Sequence, residues 1–242
     1  MKEKEWLACT RVAPALKFLF QKKGLIYKGK KTQQHPRGRR RLRLFAVALA
    51  RRVEHMVTDR PLRRLLIAAE EYADGIGSLK LLQDLCAKSR IQEYSFFEED
   101  GGPEELADWL ADRHARGRCA GQAIAILSER DCESVCCLHA NAAFAREGKD
   151  YLVEAAIQAN LLRDIFDNPF RPVSFSPEWR TSSVVSIAQS MYDSRDFAPM
   201  PVLADALQDA GCEHEDILAH CRDANGTHVR GCWVVDLALG KN

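Results

Sequence analysis

The chain contains no Walker loop, no G-x-G-x-x-G, no H-E-x-x-H, no G-x-S-x-G and no C-x-x-C. These absences remove P-loop phosphoryl transfer, dinucleotide binding, zincin-type proteolysis, nucleophile-elbow hydrolysis and paired-cysteine zinc knuckles. Long apolar runs are missing as well. No stretch approaches the roughly 20 apolar residues that span a bilayer. The N-terminus, Met1-Lys2-Glu3-Lys4-Glu5-Trp6, has no apolar signal core and no small-residue cleavage site, so the expected setting is the cytoplasm. Strict apolar–polar alternation and fixed-length repeats are also absent, which argues against sheets and solenoids. Aromatic residues make up only 8% and do not interleave with the basic residues, so base-stacking platforms are not expected.

What is present is helical periodicity. Apolar residues make up 46% of the 242 residues and charged residues 29%, an ordinary globular balance. Val12 to Lys23 sets Ala15, Leu16, Leu19 and Phe20 on one stripe. Leu42 to Val57 repeats Leu42, Phe45, Ala46, Leu49, Val53 and Met56 at spacings of three and four. Asp59 before Arg60-Pro61 reads as a cap and first turn, with a further short helix from Ser78 to Arg90. Glu104 to Arg116, Cys119 to Arg146 and Tyr151 to Phe166 continue the pattern, the last ended by Asn168-Pro169. Thr181 caps another helix, Pro201 opens one that Gly211 stops, and two short helices finish the chain at about 215–222 and 229–239. The expected fold is all-α: a compact multi-helix assembly in one domain, 1–242. A mobile basic loop is expected near residues 24–38, and the acidic turn Glu98 to Pro103 is the candidate internal boundary.

The formal charge of +1 conceals an uneven distribution. Residues 1–65 carry 19 Lys and Arg against 4 Asp and Glu, and the remainder carries 16 against 30. Such a split implies an anionic partner for the first third or attraction within the chain. The basic run Arg37, Arg39, Arg40, Arg41 and Arg43, continued by Arg51 and Arg52, is the candidate nucleic-acid contact, because guanidinium forks match phosphate. The competing reading is a basic arm paired with the acidic remainder.

Nine cysteines, odd in number and scattered, are read as reduced thiols. Cys212, His214, His220, Cys221, His228 and Cys232 fall within 21 residues and offer the soft and borderline donors that tetrahedral zinc prefers. The candidate metal ligands are Cys212, His220, Cys221, His228 and Cys232, with His228 and Cys232 sharing a face if one helix carries both. Structural zinc competes here with plain core packing. Adjacent His220 and Cys221 cannot easily point at one ion from a helix. Cys132, Cys136 and His139 form a second set along one helical face, for which buried thiols are the simpler reading. Asp164 and Asp167 read as caps or braces of the Asn168-Pro169 turn.

Two blocks of sequence carry a resemblance. Leu162-Arg163-Asp164-Ile165-Phe166-Asp167-Asn168-Pro169-Phe170-Arg171-Pro172 is followed by Met200 to Leu207, Ala210-Gly211-Cys212, Ile217 to Arg222 and His228-Val229-Arg230-Gly231-Cys232-Trp233. Near the N-terminus stand Glu5-Trp6-Leu7-Ala8-Cys9-Thr10 and Leu42-Arg43-Leu44-Phe45-Ala46. In these segments, and in a C-terminal block spanning 160–242, the chain resembles a planctomycete-type family of uncharacterised bacterial proteins that occur as many paralogues. Two departures stand out. Val47-Ala48-Leu49-Ala50 replaces the cysteines that often follow Leu-Phe-Ala in that family, and the 24–38 stretch is longer. The resemblance implies a shared helical fold and no chemistry, since no activity is established for the family.

The sequence therefore favours a non-enzymatic helical protein–protein interaction or scaffold module. The alternatives are a nucleic-acid-binding accessory protein using 37–52, and a thiol- or metal-dependent enzyme.

Overall fold

A computed structural model describes residues 1–22, 36–89, 123, 124, 127 and 151–241. Among them the chain is all-α, with no strand. Ten α-helices are seen among the described residues: α1 (Glu3–Leu7), α2 (Val12–Gln21), α3 (Pro36–Arg52), α4 (Arg60–Ala73), α5 (Leu79–Ala87), α6 (Tyr151–Phe166), α7 (Ser182–Ser194), α8 (Met200–Asp209), α9 (Glu215–Arg222) and α10 (Trp233–Leu239). No helix among the described residues is long and apolar enough to cross a membrane.

The helix ends follow local side-chain chemistry. Asp59 Oδ1 accepts the Leu62 N–H at 3.1 Å, Ser78 Oγ that of Leu81 at 3.2 Å, and Thr181 Oγ1 that of Val184 at 3.4 Å. Each satisfies an amide that the first helical turn leaves orphaned. Gly211 adopts φ +83° after α8. The Cys212 amide bonds back to the Leu207 carbonyl and the Gly211 amide to that of Gln208, both at 2.9 Å, which turns Cys212 into the core.

Two expectations need correction. The segment expected as a loop, 24–38, is helical from Pro36, so α3 starts six residues before Leu42, and it ends at Arg52 in a 3-10 turn, Glu54–Met56. Pro at the first position suits the helix start, because its missing N–H would have been unsatisfied there. The final helix runs only from Trp233, leaving Val229 to Cys232 in turns around Gly231, whose φ is +98°. Residues 23–35, the acidic turn 98–103, the helix expected at 104–116, and Cys132, Cys136 and His139 lie outside the described residues, as does nearly all of 119–146.

Where the sequence reading placed one domain, the backbone clusters into two compact units. One comprises Met1–Ala8 with Ala159–Asn242, the other Cys9–Gln158.

In the Cys9–Gln158 unit, α3 packs on α4 and α4 on α5. Leu42, Phe45 and Leu49 of α3, Val53 just after it, and Leu62, Leu65, Leu66 and Ala69 of α4 are buried, as the three- and four-residue spacing requires. The arginines of α3 serve this packing. Arg51 Nε donates to buried Glu70 at 2.6 Å, and Arg52 forms two bonds to Glu154, at 2.8 and 2.6 Å.

In the other unit, α7 packs on α8 and α10, and α9 packs on α8 and α10. Their shared core contains Val184, Met191, Tyr192, Leu203, Leu207, Ile217 and Val234. The short α1 is fastened to the end of α6. Arg163 donates to the Trp6 carbonyl at 3.2 Å, and Glu3 accepts from Asn168 at 2.8 Å and Arg171 at 2.7 Å.

Candidate metal centre

Asp164 lies in the last turn of α6, between Leu162 and Ile165–Phe166, all buried. A carboxylate on that apolar stretch must find partners or stay neutral. Its partners come from two later segments. His228 Nδ1 lies 2.8 Å and His220 Nε2 lies 3.2 Å from Asp164 Oδ1, and the Val229 N–H donates to Oδ2 at 3.0 Å. Cys232, at the start of α10, completes the group. Its Sγ stands 3.3 Å from His220 Nε2 and 3.9 Å from His228 Nδ1. One donor atom from each of Asp164, His220, His228 and Cys232 lies within 4.8 Å of every other.

Those separations, 2.8–3.9 Å where the groups touch and none beyond 4.8 Å, bracket those of a tetrahedral shell. Ligands bound to zinc at 2.0–2.3 Å lie about 3.3–3.8 Å from one another. Aspartate oxygen, two imidazole nitrogens and a thiolate are all accepted zinc donors, and all four positions would come from protein. A closed set of that kind marks a structural site more than a catalytic one.

A Cys-His-Asp nucleophile system would look different. There the imidazole bridges acid and nucleophile through opposite ring nitrogens. Here His220 turns the same nitrogen, Nε2, to both Asp164 and Cys232, and His228 likewise turns only Nδ1 inward. Such geometry converges on a point instead of relaying a proton along a line.

The electrostatics agree. Burial pushes the Asp164 carboxyl up, but hydrogen bonds from His220 and His228, reinforced by their charge, outweigh it and hold Asp164 below the usual carboxylate value. Burial, helped by the neighbouring Asp164 charge, holds the Cys232 thiol well above its ordinary value, against the opposing Val235 and Val234 amides. Cys221 is pushed up to about 12, first by burial and then by Cys212 and Asp164. Burial also raises Cys212. None of these three is a thiolate nucleophile without a cation beside it.

The rings are held from behind. His220 meets Trp233 with centroids 5.0 Å apart and His228 edge-on at 4.8 Å. Gly226 leaves room for His228, since a Cβ at 226 would come within 2.8 Å of His228 Nε2 and 3.0 Å of the Asp223 carbonyl. A cavity of about 420 Å³ adjoins the group. Asp164, His220 and His228 line it, whereas Cys232 is fully buried behind them.

Of the five ligands expected from sequence, the structure brings together His220, His228 and Cys232. Cys212 and Cys221 pack in the core and are not among the four converging donors. The final helix, expected from about 229, starts only at Trp233, so His228 and Cys232 do not share a helix face. Turns around Gly231 bring them together instead. Asp164 was missed, having been read as a brace for the following turn; its signal was a lone acid inside Leu161-Leu162-Arg163-Asp164-Ile165-Phe166.

The arginines expected to meet phosphate are largely committed elsewhere. Arg40 pairs with Asp74 at 3.0 Å, Arg43 donates to the Leu127 carbonyl and lies over the Tyr72 ring, and Arg51 and Arg52 are bound to Glu70 and Glu154. Arg39 is exposed, Arg41 half-buried, and the side chain of Arg37 lies outside the described residues. Comparison with protein-family models, curated proteins and solved structures finds no match.

Proposed function

We propose that this protein is a zinc-stabilised helical binding module, with Asp164, His220, His228 and Cys232 as the ligands of one structural ion. The observation that carries the reading is the convergence of four unlike donors, from three separate stretches of chain, on one point. Bound there, zinc would fix the irregular 223–232 segment against α6 and α9. That segment forms part of the cavity wall, so the ion supports a surface for binding. Zinc is favoured over harder ions by the thiolate and imidazoles.

A binding or scaffold role is favoured over an enzymatic one because protein atoms would fill the shell and burial raises the Cys212, Cys221 and Cys232 thiols. The cytoplasm suits the reading. The described cysteines Cys9, Cys86, Cys212, Cys221 and Cys232 are all free, and a reducing compartment keeps Cys232 available as a ligand. The paired states of Arg40, Arg51 and Arg52 leave the nucleic-acid alternative with less support. The resemblance to the planctomycete-type family is part of the proposal only as a shared fold.

The test is elemental analysis of protein purified without added chelator. One zinc per chain is expected, falling below a tenth in Cys232→Ser and His220→Ala. A metal-free wild type that also fails to take up zinc at micromolar concentration would reject the reading.

A further inference from the structure

The segment between α9 and α10 carries a reactive pair of its own. Asn225 is the one asparagine of the chain that is followed by glycine. An asparagine amide is lost most readily there, because the next residue has no Cβ to keep its backbone nitrogen away from the asparagine Cγ. Asn225, Gly226 and Thr227 are all exposed and lie outside every helix.

The fold restrains this pair. Asp223 in first place and Gly226 in fourth suit a β-turn, and the Gly226 N–H donates to the Asp223 carbonyl at 3.0 Å. Asp223 Oδ1 accepts the Asn225 N–H, also at 3.0 Å. The nitrogen that would attack is therefore occupied. Gly226 is also packed on a metal ligand, since a Cβ there would come within 2.8 Å of His228 Nε2. His228 Nδ1 is held 2.8 Å from Asp164, whose other oxygen accepts the Val229 N–H. Freeing the Gly226 nitrogen requires rotation of the 225–226 backbone, and that rotation displaces His228. An ion on His228 opposes it.

We infer that Asn225 is a self-modification site whose reaction the metal centre restrains. The Gly226 nitrogen attacks Asn225 Cγ and forms a new C–N bond. The side-chain nitrogen leaves as ammonia, taking the Gly226 proton, and a cyclic imide remains. Water then opens the ring. Opening at the side-chain carbonyl gives aspartate, and opening at the main-chain carbonyl gives isoaspartate. Water enters, ammonia leaves, and no oxidant or reductant takes part. Isoaspartate routes the chain through the former side chain and adds a methylene to the backbone three residues before His228. The lengthened turn no longer sets Gly226 against the ring, so zinc binding weakens. A chain left without metal is marked irreversibly, and a loaded one stays intact. The restraint and the consequence rest on the zinc reading, whereas the reaction itself needs no metal.

The test incubates the full chain in mildly alkaline buffer, stripped of metal or supplied with zinc. Mass spectrometry then follows the tryptic peptide 223–230, with isoaspartate and aspartate separated by chromatography. In the metal-free chain Asn225 converts while Asn160, exposed on α6 and followed by leucine, stays intact. Zinc at about a hundred times its dissociation constant slows conversion about a hundredfold, because the open loop holds no ion and its population falls by that factor. The isolated isoaspartate form binds zinc roughly tenfold more weakly, the scale of losses on disturbing the groups behind a ligand. Asn225→Gln keeps its zinc and does not convert. Conversion of Asn225 no faster than that of Asn160 overturns the site. An equal rate under saturating zinc overturns the restraint, and an isoaspartate form that binds zinc like the intact chain overturns the consequence. A chain that takes up no zinc fails the earlier reading and the restraint together. Elemental analysis identifies that case, and conversion in the metal-free chain still decides the site on its own.

Discussion

Asp164 Oδ2 accepts the backbone N–H of Val229 at 3.0 Å, tying α6 to a loop 65 residues further along the chain. Its other oxygen receives His228 and His220, so one side chain holds the loop and both imidazoles. Asp164→Ala removes both acceptor oxygens, and with them the partner of all three groups, at once. The expected cost is about 3 kcal/mol of metal-free stability, read as a lower urea midpoint. Asp164→Asn keeps one oxygen and is expected to cost less, while still losing zinc. Equal midpoints for Asp164→Ala and wild type would show that the carboxylate does not organise the loop.

Zinc binding should be steeply dependent on pH. The Cys232 thiol is kept protonated by burial and by the Asp164 charge, so zinc must expel a proton to gain its sulfur. Affinity is then expected to rise about tenfold per pH unit between 6 and 8 for each proton released, measured by competition with a chromophoric chelator. The metal-free chain gives the opposite trend at high pH. A thiol pKa raised by folding means that the native state holds the proton longer than the unfolded one, so stability is complete below the unfolded thiol value and falls above about pH 9. A pH-independent zinc affinity would remove Cys232 from the ligand set.

Gly226 tests the centre without touching a ligand. A Cβ there comes within 2.8 Å of His228 Nε2, and the ring cannot retreat freely because Nδ1 is held by Asp164. Gly226→Ala is expected to weaken zinc binding by roughly tenfold, the scale of losses on disturbing the groups behind a metal ligand. Far-ultraviolet circular dichroism should be unchanged, since Gly226 lies outside every helix.

How much of this was legible follows from period and range. The caps at Asp59 and Thr181 and the stop at Gly211 depend on residues within four positions, and the sequence shows them directly. The three His and Cys ligands were visible as a local concentration. Asp164 was not, because it joins them across 56 residues or more, and only burial distinguishes it from the many solvated carboxylates. The α3 arginines misled for a similar reason. Their charge is plain in the sequence, but Glu70 lies 19 and Glu154 lies 102 residues away, and no helical period links them.

That pairing changes how the basic segment must be tested. Glu70 is 1% exposed and bonded to Arg51 at 2.6 Å, while Glu154 is nearly buried and held by both arms of Arg52. Removing either arginine takes a close cation from a buried carboxylate, which costs on the order of 3 kcal/mol. Loss of nucleic-acid binding in Arg51→Ala or Arg52→Ala would therefore report unfolding. Arg39, exposed on α3, carries the clean experiment. Arg39→Glu should leave the melting temperature within about 1 °C, because surface substitutions cost little. If α3 contacts phosphate, the same change lowers duplex affinity and flattens its salt dependence by about one unit of log–log slope. Unchanged affinity and slope, with Arg51→Ala losing both binding and helicity together, would assign the arginines of α3 to holding the helix pair.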